Sequence, residues 1–525
     1  IDPSRPIHYE GMNSIADMDS RMYPSLESME EMDKNGNAKP FFLCEYNHAM
    51  GNSIGNLDQY WDYIINKSDR MIGGCIWDWV DQALNKPDEP DTNYYFGGSF
   101  GDAPNDNDFC CNGIITADRA ITPKLLEVKN VYQYIRFRLN DPNSVSLQND
   151  YTVHNLTDFN LKYEIQKNGE TIKTEFFGLP DCEPTENRTI LIPMEKYLTD
   201  PTAEYFINLE VSTKNATSWA DAGHVVASAQ LPLKGSFTPD SVSADGKISS
   251  KDENGAVRFS GNGWNISFNK ENGTLQSLNY GGSEMIHEGN GLQFYGYRTI
   301  NNEPRDFKEH SFDLKDLSWE VNDGGNKATV SADLVATVGD TSVPHKVVYT
   351  IYPDGTIDVN ATFSTPEKFE MPRLGLRGMF NKSLERLEWF GRGPIENYPD
   401  RKAAAFVGKY SSTIENMREN YVRSQSMGTR TDTRWMTLSD NTGKGIKISA
   451  LGDHFDFTAL HFTDEEIWNA KYGHDLDKVH RPETVLNIDC ATRGLGSASC
   501  GPGPRPEFKL VPDTTYNYSF RISAL

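Results

Sequence analysis

Apolar and polar positions follow two different rhythms along this 525-residue chain. Up to about residue 135, short apolar runs are interleaved with a helical period. Phe41-Phe-Leu-Cys44 is an unbroken apolar run behind Lys39-Pro40, the pattern of a strand buried on both faces. It ends on Glu45, with Tyr46, Asn47 and His48 directly after, and Gly51-Asn-Ser53 breaks the strand where a helix could start. Leu57, Tyr60, Trp61, Ile64 and Ile65 recur at helical spacing within residues 54–65, which predicts a helix with one buried face. Residues 74–79 read as the next strand. Residues 5–10 and 16–23 read as two earlier ones, the second ended by Pro24. Strand, helix, strand is the βαβ unit of a parallel sheet. A full parallel barrel has eight such strands in about 250 residues, so only four strands fit here.

From about residue 136 the period becomes two. Residues 151–155, 161–166, 189–193 and 204–212 alternate apolar and polar side chains, with Asn168-Gly169 and Pro180-Asp181 as turns between them. That predicts a β-sandwich of immunoglobulin type over residues 136–235. Residues 236–246 are polar, contain Pro239 and read as a linker. Residues 247–525 are again all strand, for example 257–260, 264–268, 328–332, 345–352, 356–363 and 516–522. Tyr352-Pro-Asp-Gly-Thr356 carries an Asp-Gly hairpin turn. One large β-sandwich fits this last segment.

Composition narrows the partners. The net charge of −24 and pI of about 4.9 argue against nucleic acid and anionic membrane. A neutral sugar is compatible with that charge, though charge does not select one. Nine Trp and 24 Tyr suit sugar stacking and equally suit sandwich cores. The seven cysteines form no CxxC pair and read as free thiols, not a disulfide framework or zinc site. No apolar run reaches the length of a membrane span. The chain opens at Ile1-Asp-Pro-Ser-Arg5 with neither Met nor leader, which leaves the compartment open, cytoplasmic or periplasmic.

The candidate chemistry centres on Glu45. Parallel α/β barrels carry catalytic groups at the carboxyl ends of their strands, and a carboxylate there is costly unless hydrogen-bonded or working. Taken alone, an acidic strand-end cap explains it as well. Asp78 and Asp81 fit an acidic loop. Asn105 to Asp108 suggests a calcium loop starting at Asp106, but Cys110 falls at the fifth position and no Gly follows at the sixth. A hydrogen-bonded turn cluster is the plainer reading.

Longer motifs carry a resemblance. Cys44-Glu-Tyr-Asn-His-Ala-Met-Gly-Asn-Ser53 resembles the nucleophile segment of the large bacterial-type β-galactosidases of glycoside hydrolase family 2. Gly73-Gly-Cys-Ile-Trp-Asp-Trp-Val-Asp-Gln82 resembles the next barrel strand. Gly97-Gly-Ser-Phe-Gly-Asp-Ala-Pro-Asn-Asp106, Phe109-Cys-Cys-Asn-Gly113 and Gly391-Arg-Gly-Pro-Ile-Glu-Asn-Tyr-Pro-Asp-Arg401 follow in the family's order. The resemblance is to the C-terminal half of such an enzyme. It implies the C-terminal half of a (β/α)8 TIM barrel over residues 1–135 and a galactose-mutarotase-like sandwich at the end. It implies a retaining enzyme acting on terminal β-D-galactosides, with Glu45 as nucleophile. Retaining enzymes pair two carboxylates about 5 Å apart. The family's acid/base is a Glu after an Asn on a strand that would precede Ile1, so the chain alone is expected to be inactive. Magnesium and sodium are the implied cofactors, the main magnesium site also preceding Ile1.

By the same resemblance Tyr23 donates to Glu45. Tyr46, Asn47, His48, Trp77 and Asn112 contact sugar, and the Trp77–Asp78 peptide is cis. Of Trp77 and Trp79, one is expected to stack on sugar and the other to pack in core. The Phe109 carbonyl and Asn112 hold sodium, and Asn105 touches a second magnesium. A homo-oligomer is implied for the intact enzyme. The chain departs from the pattern at Val485: family members bring an aromatic platform into the site just before Leu-Asn-Ile-Asp, and that platform is absent here. His480 or the loop of residues 494–504 are the candidates to compensate. The segment Arg298-Thr-Ile-Asn-Asn-Glu303 also differs from the family's run. Two alternatives stand beside this reading. A β-glucuronidase-like family 2 enzyme would need a basic carboxylate-binding motif that the sequence does not show. A non-catalytic carbohydrate-binding module is permitted by the sandwiches alone.

Overall fold

The structure is a computed structural model that describes residues 2, 4–36, 38–243, 245–300, 310–497 and 499–525. The first segment is built on three parallel strands, β1 (Asp19–Met22), β2 (Phe41–Tyr46) and β3 (Met71–Ile76), in spatial order β1-β2-β3. Helices α1 (Leu26–Asn35), α2 (Leu57–Asn66) and α3 (Pro123–Val131) pack with them. Phe41, Leu43 and Tyr46 of β2, Leu57, Tyr60 and Ile64 of α2, and Val128 and Val131 of α3 share one apolar core.

Each helix starts on a recognisable signal. Ser25 caps α1 by accepting the Ser28 amide, and Thr122 caps α3 by accepting the Leu125 amide ahead of Pro123. α2 begins later than its periodicity suggests. Residues 51–56 form a loop, and Asn56 enters the helix from a left-handed conformation (φ +65°).

The strand expected at residues 5–10 is absent: the segment is irregular, and Ile7 and Tyr9 are exposed. A strand needs an edge to pair with, and Ile7 is instead held by Asp17, whose carboxylate accepts the Ile7 amide (2.7 Å) and whose amide donates to the Ile7 carbonyl (2.8 Å). The expected four strands are therefore three, with an isolated parallel bridge from Val80 to Ile115 beyond β3.

The second segment is a sandwich of a three-stranded and a four-stranded sheet. The first pairs Ile135–Asp141, Ser144–Asn149 and Asn187–Leu191. The second runs in the order Val225–Lys234, Tyr205–Thr213, Phe159–Lys167, Glu170–Gly178. Asn168 and Gly169 both take positive φ (48° and 79°) and close the hairpin between the last two, as a two-residue loop of primed type requires. Residues 151–155, expected as a strand, are loop. Tyr151 stacks there between Tyr134 and Phe159. The two strands just before were hidden by their polar outer faces. The described residues of 236–246 form neither helix nor strand, and Phe237 packs edge-on to Phe390.

The last segment wraps sheets of nine, five and five strands around one core that includes Trp264, Tyr349 and Trp389. Strands Thr341–Ile351 and Ile357–Ser364 form the hairpin expected at Asp354-Gly355. Gly355 sits at φ +85°, and a Cβ there would lie 2.7 Å from the Trp264 ring. Val485 is a core residue of strand Thr484–Thr492 opposite Met379, 1% exposed. Among the described residues no helix is long and apolar enough to cross a membrane.

Candidate active site

Glu45 lies at the carboxyl end of β2, half-buried and in register with Met22. The chain leaves β1 through Tyr23 at φ +45°, and the Tyr23 amide donates to the Glu45 carbonyl (2.8 Å). The Tyr23 hydroxyl donates to the Glu45 carboxylate. Burial first, and that carboxylate second, push the hydroxyl far above its usual range, so it stays a donor. Cys500 also lies against this hydroxyl.

Asn47 and His48 follow in a turn with Asn47 at φ +49°, and both are buried, at 3% and 0% exposure. His48 Nδ1 is 2.8 Å from Ser499 Oγ. The ring stacks on Phe109 at 5.0 Å and meets Tyr23 edge-on at 5.9 Å. Its Nε2 and both polar atoms of the Asn47 amide are buried without a protein partner. Buried polar atoms are ordinarily paired, so three orphans beside one carboxylate mark a place where a polar ligand belongs. Burial, then the nearby Lys124 ammonium, hold the His48 pKa down at about 4, leaving a neutral ring.

Tyr46, expected to touch sugar, does not reach the site. Its ring is 1% exposed in the core, and its hydroxyl accepts from Trp61 Nε1 (2.7 Å) and pairs with Tyr132. Alternation along β2 explains this, because Glu45 and Tyr46 must point to opposite faces. Trp77 follows β3, with its amide donating to Tyr46 (3.2 Å) and its carbonyl accepting from Ala49 (2.7 Å). The Trp77–Asp78 peptide is cis. The indole is 39% exposed, whereas Trp79, one of the pair expected to supply core packing, is 59% exposed and packs in none. The two carboxylates near Trp77 are committed locally. Asp78 accepts from the Trp79 amide and from Gln82 (3.0 Å), and buried Asp81 accepts from the Gly113 amide (2.8 Å).

The loop of residues 97–113 brings the Asn112 side chain onto the Phe109 carbonyl. Asn112, 4% exposed, donates through its amide nitrogen to the Phe109 carbonyl at 3.1 Å. The Asn112 oxygen lies 3.5 Å from Gln82 Nε2, so the Phe109 carbonyl and the Asn112 oxygen would present two oxygens to a hard cation only if the amide turned. Asn105 stands apart in an exposed turn, its amide spent on the Asp102 carbonyl (2.9 Å) and the Asn107 amide (3.1 Å).

The largest addition to the sequence reading is Lys124 of α3. It is 1% exposed, and its ammonium donates to the carbonyls of Ala49 (2.7 Å) and Gly113 (2.6 Å). Burial lowers its pKa to about 8 against the opposing pull of Asp81. It thereby ties the loop after Glu45 to the loop after Asn112.

A second addition comes from the last segment. The Asn52 amide nitrogen donates to Tyr398 (2.7 Å) and to the Ser426 carbonyl (3.1 Å), and Arg401 donates to the Ser53 carbonyl (3.0 Å) and to Glu396 (2.8 Å). Asp400 accepts the amides of Leu495 and Gly496 at 2.8 Å each, and Gly55 fits only because a Cβ would come 2.0 Å from that carboxylate. Arg298 donates to the carbonyls of Arg493 (2.6 Å) and Gly494 (3.1 Å). Residues 301–303 of the segment singled out in the sequence lie outside the described residues. This frame carries Ser499 and Cys500 to His48 and Tyr23, so the loop of residues 494–504 does reach the site. His480 is placed elsewhere, paired with Glu415 at 2.8 Å.

Comparison with known proteins agrees with the motif order. The description "Glycosyl hydrolases family 2, TIM barrel domain" matches residues 1–137, "Beta-galactosidase, domain 4" residues 145–234, and "Beta galactosidase small chain" residues 260–522. A β-galactosidase of Priestia megaterium is 30% identical over 544 aligned residues, covering 100% of this chain and 52% of the relative. One of Halalkalibacterium halodurans is 30% identical over 547, covering 100% and 53%. One of Lactobacillus delbrueckii subsp. bulgaricus is 31% identical over 539, covering 97% and 50%. A solved galactose 1-epimerase of Lactobacillus acidophilus aligns with 54% of this chain and 99% of its own at 8% identity, but its TM-score of 0.28 carries no argument. The fold and site define a glycoside hydrolase-type barrel backed by β-sandwiches. The chain belongs to the β-galactosidases of glycoside hydrolase family 2, and it spans about half the length of the curated relatives it matches.

Proposed function

We propose that this chain supplies the nucleophile half of a retaining β-galactosidase active site. The observation that carries this is the carboxylate of Glu45 at a barrel strand end. It accepts from Tyr23 and is flanked by the unpartnered buried atoms of Asn47 and His48. The sugar's hydroxyls would satisfy those atoms, and Trp77 offers the exposed aromatic face on which a pyranose stacks.

In the proposed reaction Glu45 attacks the anomeric carbon, the glycosidic bond breaks, and the leaving oxygen takes a proton from a second carboxylic acid. Water, deprotonated by that same group, then releases the sugar with net retention. Tyr23 steadies the negative charge on Glu45 and so favours its departure in the second step. The acid/base is assigned to the part of the protein beyond residues 1–525, as is the main magnesium site. This rests on the family resemblance and on relatives about twice as long. Phe109 and Asn112 would hold sodium, which would supply a positive contact to a sugar hydroxyl. The immunoglobulin-like and mutarotase-like sandwiches are proposed as supports for the barrel, and the intact enzyme as an oligomer.

The test uses the intact protein. Glu45→Gln should lower turnover of nitrophenyl β-galactoside by several orders of magnitude with the thermal midpoint unchanged. A 2-deoxy-2-fluoro galactoside should label Glu45. Label found on another carboxylate would refute the assignment.

A further inference from the structure

We infer that Glu415, His461 and His480 form a divalent-metal site of the zinc class on the last sandwich, apart from the sugar site. The three side chains offer one ligand atom each, all within 4.8 Å of one another. They come from separate elements. Glu415 opens the turn Glu415–Met417, His461 follows strand Phe455–Leu460, and His480 precedes strand Thr484–Thr492. Glu385, just before strand Arg386–Gly393, adjoins the group. Its carboxylate accepts the Glu415 amide (3.2 Å) and lies 3.0 Å from His461 Nε2.

Proton bookkeeping around His461 favours a cation. Its Nδ1 is 3.1 Å from the Glu483 carbonyl, which can only accept, so Nδ1 carries the hydrogen. In the neutral ring the lone pair then sits on Nε2 and confronts the Glu385 carboxylate, a second acceptor. His480 Nε2 likewise faces the Glu415 carboxylate at 2.8 Å. The two rings lie over each other, centroids 4.5 Å apart. One divalent ion between the nitrogens and the carboxylates would engage the lone pairs that now face one another.

Ligands held at about 2.0–2.2 Å from one ion lie roughly 3 to 3.5 Å apart; the His480–Glu415 pair is already this close at 2.8 Å, and the whole group, within 4.8 Å, must close around an ion. The backbone carbonyl behind His461 is the outer partner that orients ligating imidazoles. Two imidazoles with carboxylates suit zinc or a neighbouring transition ion better than calcium or magnesium. His461 is buried while Glu415 and His480 are exposed, so an ion can enter from solvent. Once bound, it would cross-link three segments of the sandwich.

The untagged, chelator-stripped chain should be titrated with zinc chloride by calorimetry and with cobalt(II) chloride by visible absorption. One equivalent should bind, and cobalt should show tetrahedral bands. His480→Ala and Glu415→Gln, both at exposed positions, should each weaken binding by at least about tenfold to hundredfold. The same variants should leave the thermal midpoint of the metal-free protein near that of wild type and abolish its rise on zinc addition. Absence of a zinc equivalent in the wild type overturns the site. So does unchanged affinity in the double variant, which would place the ion elsewhere.

Discussion

His48 is neutral because protonating it would bury a charge beside Lys124. Its folded pKa of about 4 lies below the usual value near 6.5. Between those values the unfolded chain therefore binds the proton that the folded chain refuses. Stability must fall as pH drops from about 6.5 toward 4 and lose nothing more through this group below that. At pH 5 the loss should be about 1 to 2 kcal/mol. Urea midpoints at pH 7 and pH 5 should converge in His48→Gln relative to wild type; an equal drop in both proteins would show that another group is responsible. Lys124 makes a sharper case. Lys124→Met keeps the volume but leaves Asp81 without its cation and two carbonyls without their donor. A cost of about 3–5 kcal/mol is expected. Adding Asp81→Asn should recover part of it, and strict additivity of the two variants in urea unfolding would deny the coupling. Glu45 and His48 were legible because they sit in one short motif. Lys124 was not, since its partners lie 75 and 11 residues away and a helical pattern treats a lysine as a solvent face.

At the scale of elements, the same blindness explains which helices the sequence hides. α2 shows a clean apolar stripe. α1 buries little beyond Leu26 and Met29, and the buried face of α3 includes Lys124 and Glu127, so neither displays a hydrophobic period. Glu127 accepts the amides of Ala403 (3.0 Å) and Ala404 (2.9 Å), which makes α3 a clamp between the barrel strands and the last sandwich. The motif of residues 391–401 was visible as a string, but its purpose was not. Glu396, Tyr398, Asp400 and Arg401 are all buried where the sandwich meets the loop after β2. Arg401→Met would strand Glu396, which also accepts the Gly428 amide (2.8 Å), and free the Ser53 carbonyl. The expected cost is about 3–5 kcal/mol. On the proposed function, turnover should fall further than stability explains, because Asn47 and His48 hang from that loop. Unfolding curves and kinetics on the folded variant separate the two effects, and unchanged kinetics would mean the interface holds the domains without positioning the site.

For the whole molecule, the distribution of exposed apolar side chains is uneven. Ile7, Tyr9, Ile15, Ile72, Trp79 and Leu84, each more than half exposed, all belong to the first 135 residues. The three-stranded sheet there has two open edges, β1 and β3, and open edges invite pairing. The two sandwiches close on their own cores. Regions with few buried contacts open first, so amide hydrogen exchange should run fastest over residues 1–135 and slowest in the sandwich strands. On the proposed function the purified chain should not hydrolyse nitrophenyl β-galactoside, because its general acid is supplied from outside it. Loss of general acid assistance alone removes about 10²–10⁴-fold, and missing sugar contacts remove more. Adding the remainder of the protein in trans should restore turnover and slow exchange over residues 1–135 together, since one contact surface would do both. Protection without activity would keep the docking surface and reject the proposed chemistry. Full activity of the chain alone would require an acid beside Glu45 within residues 1–525 and overturn the division of the site.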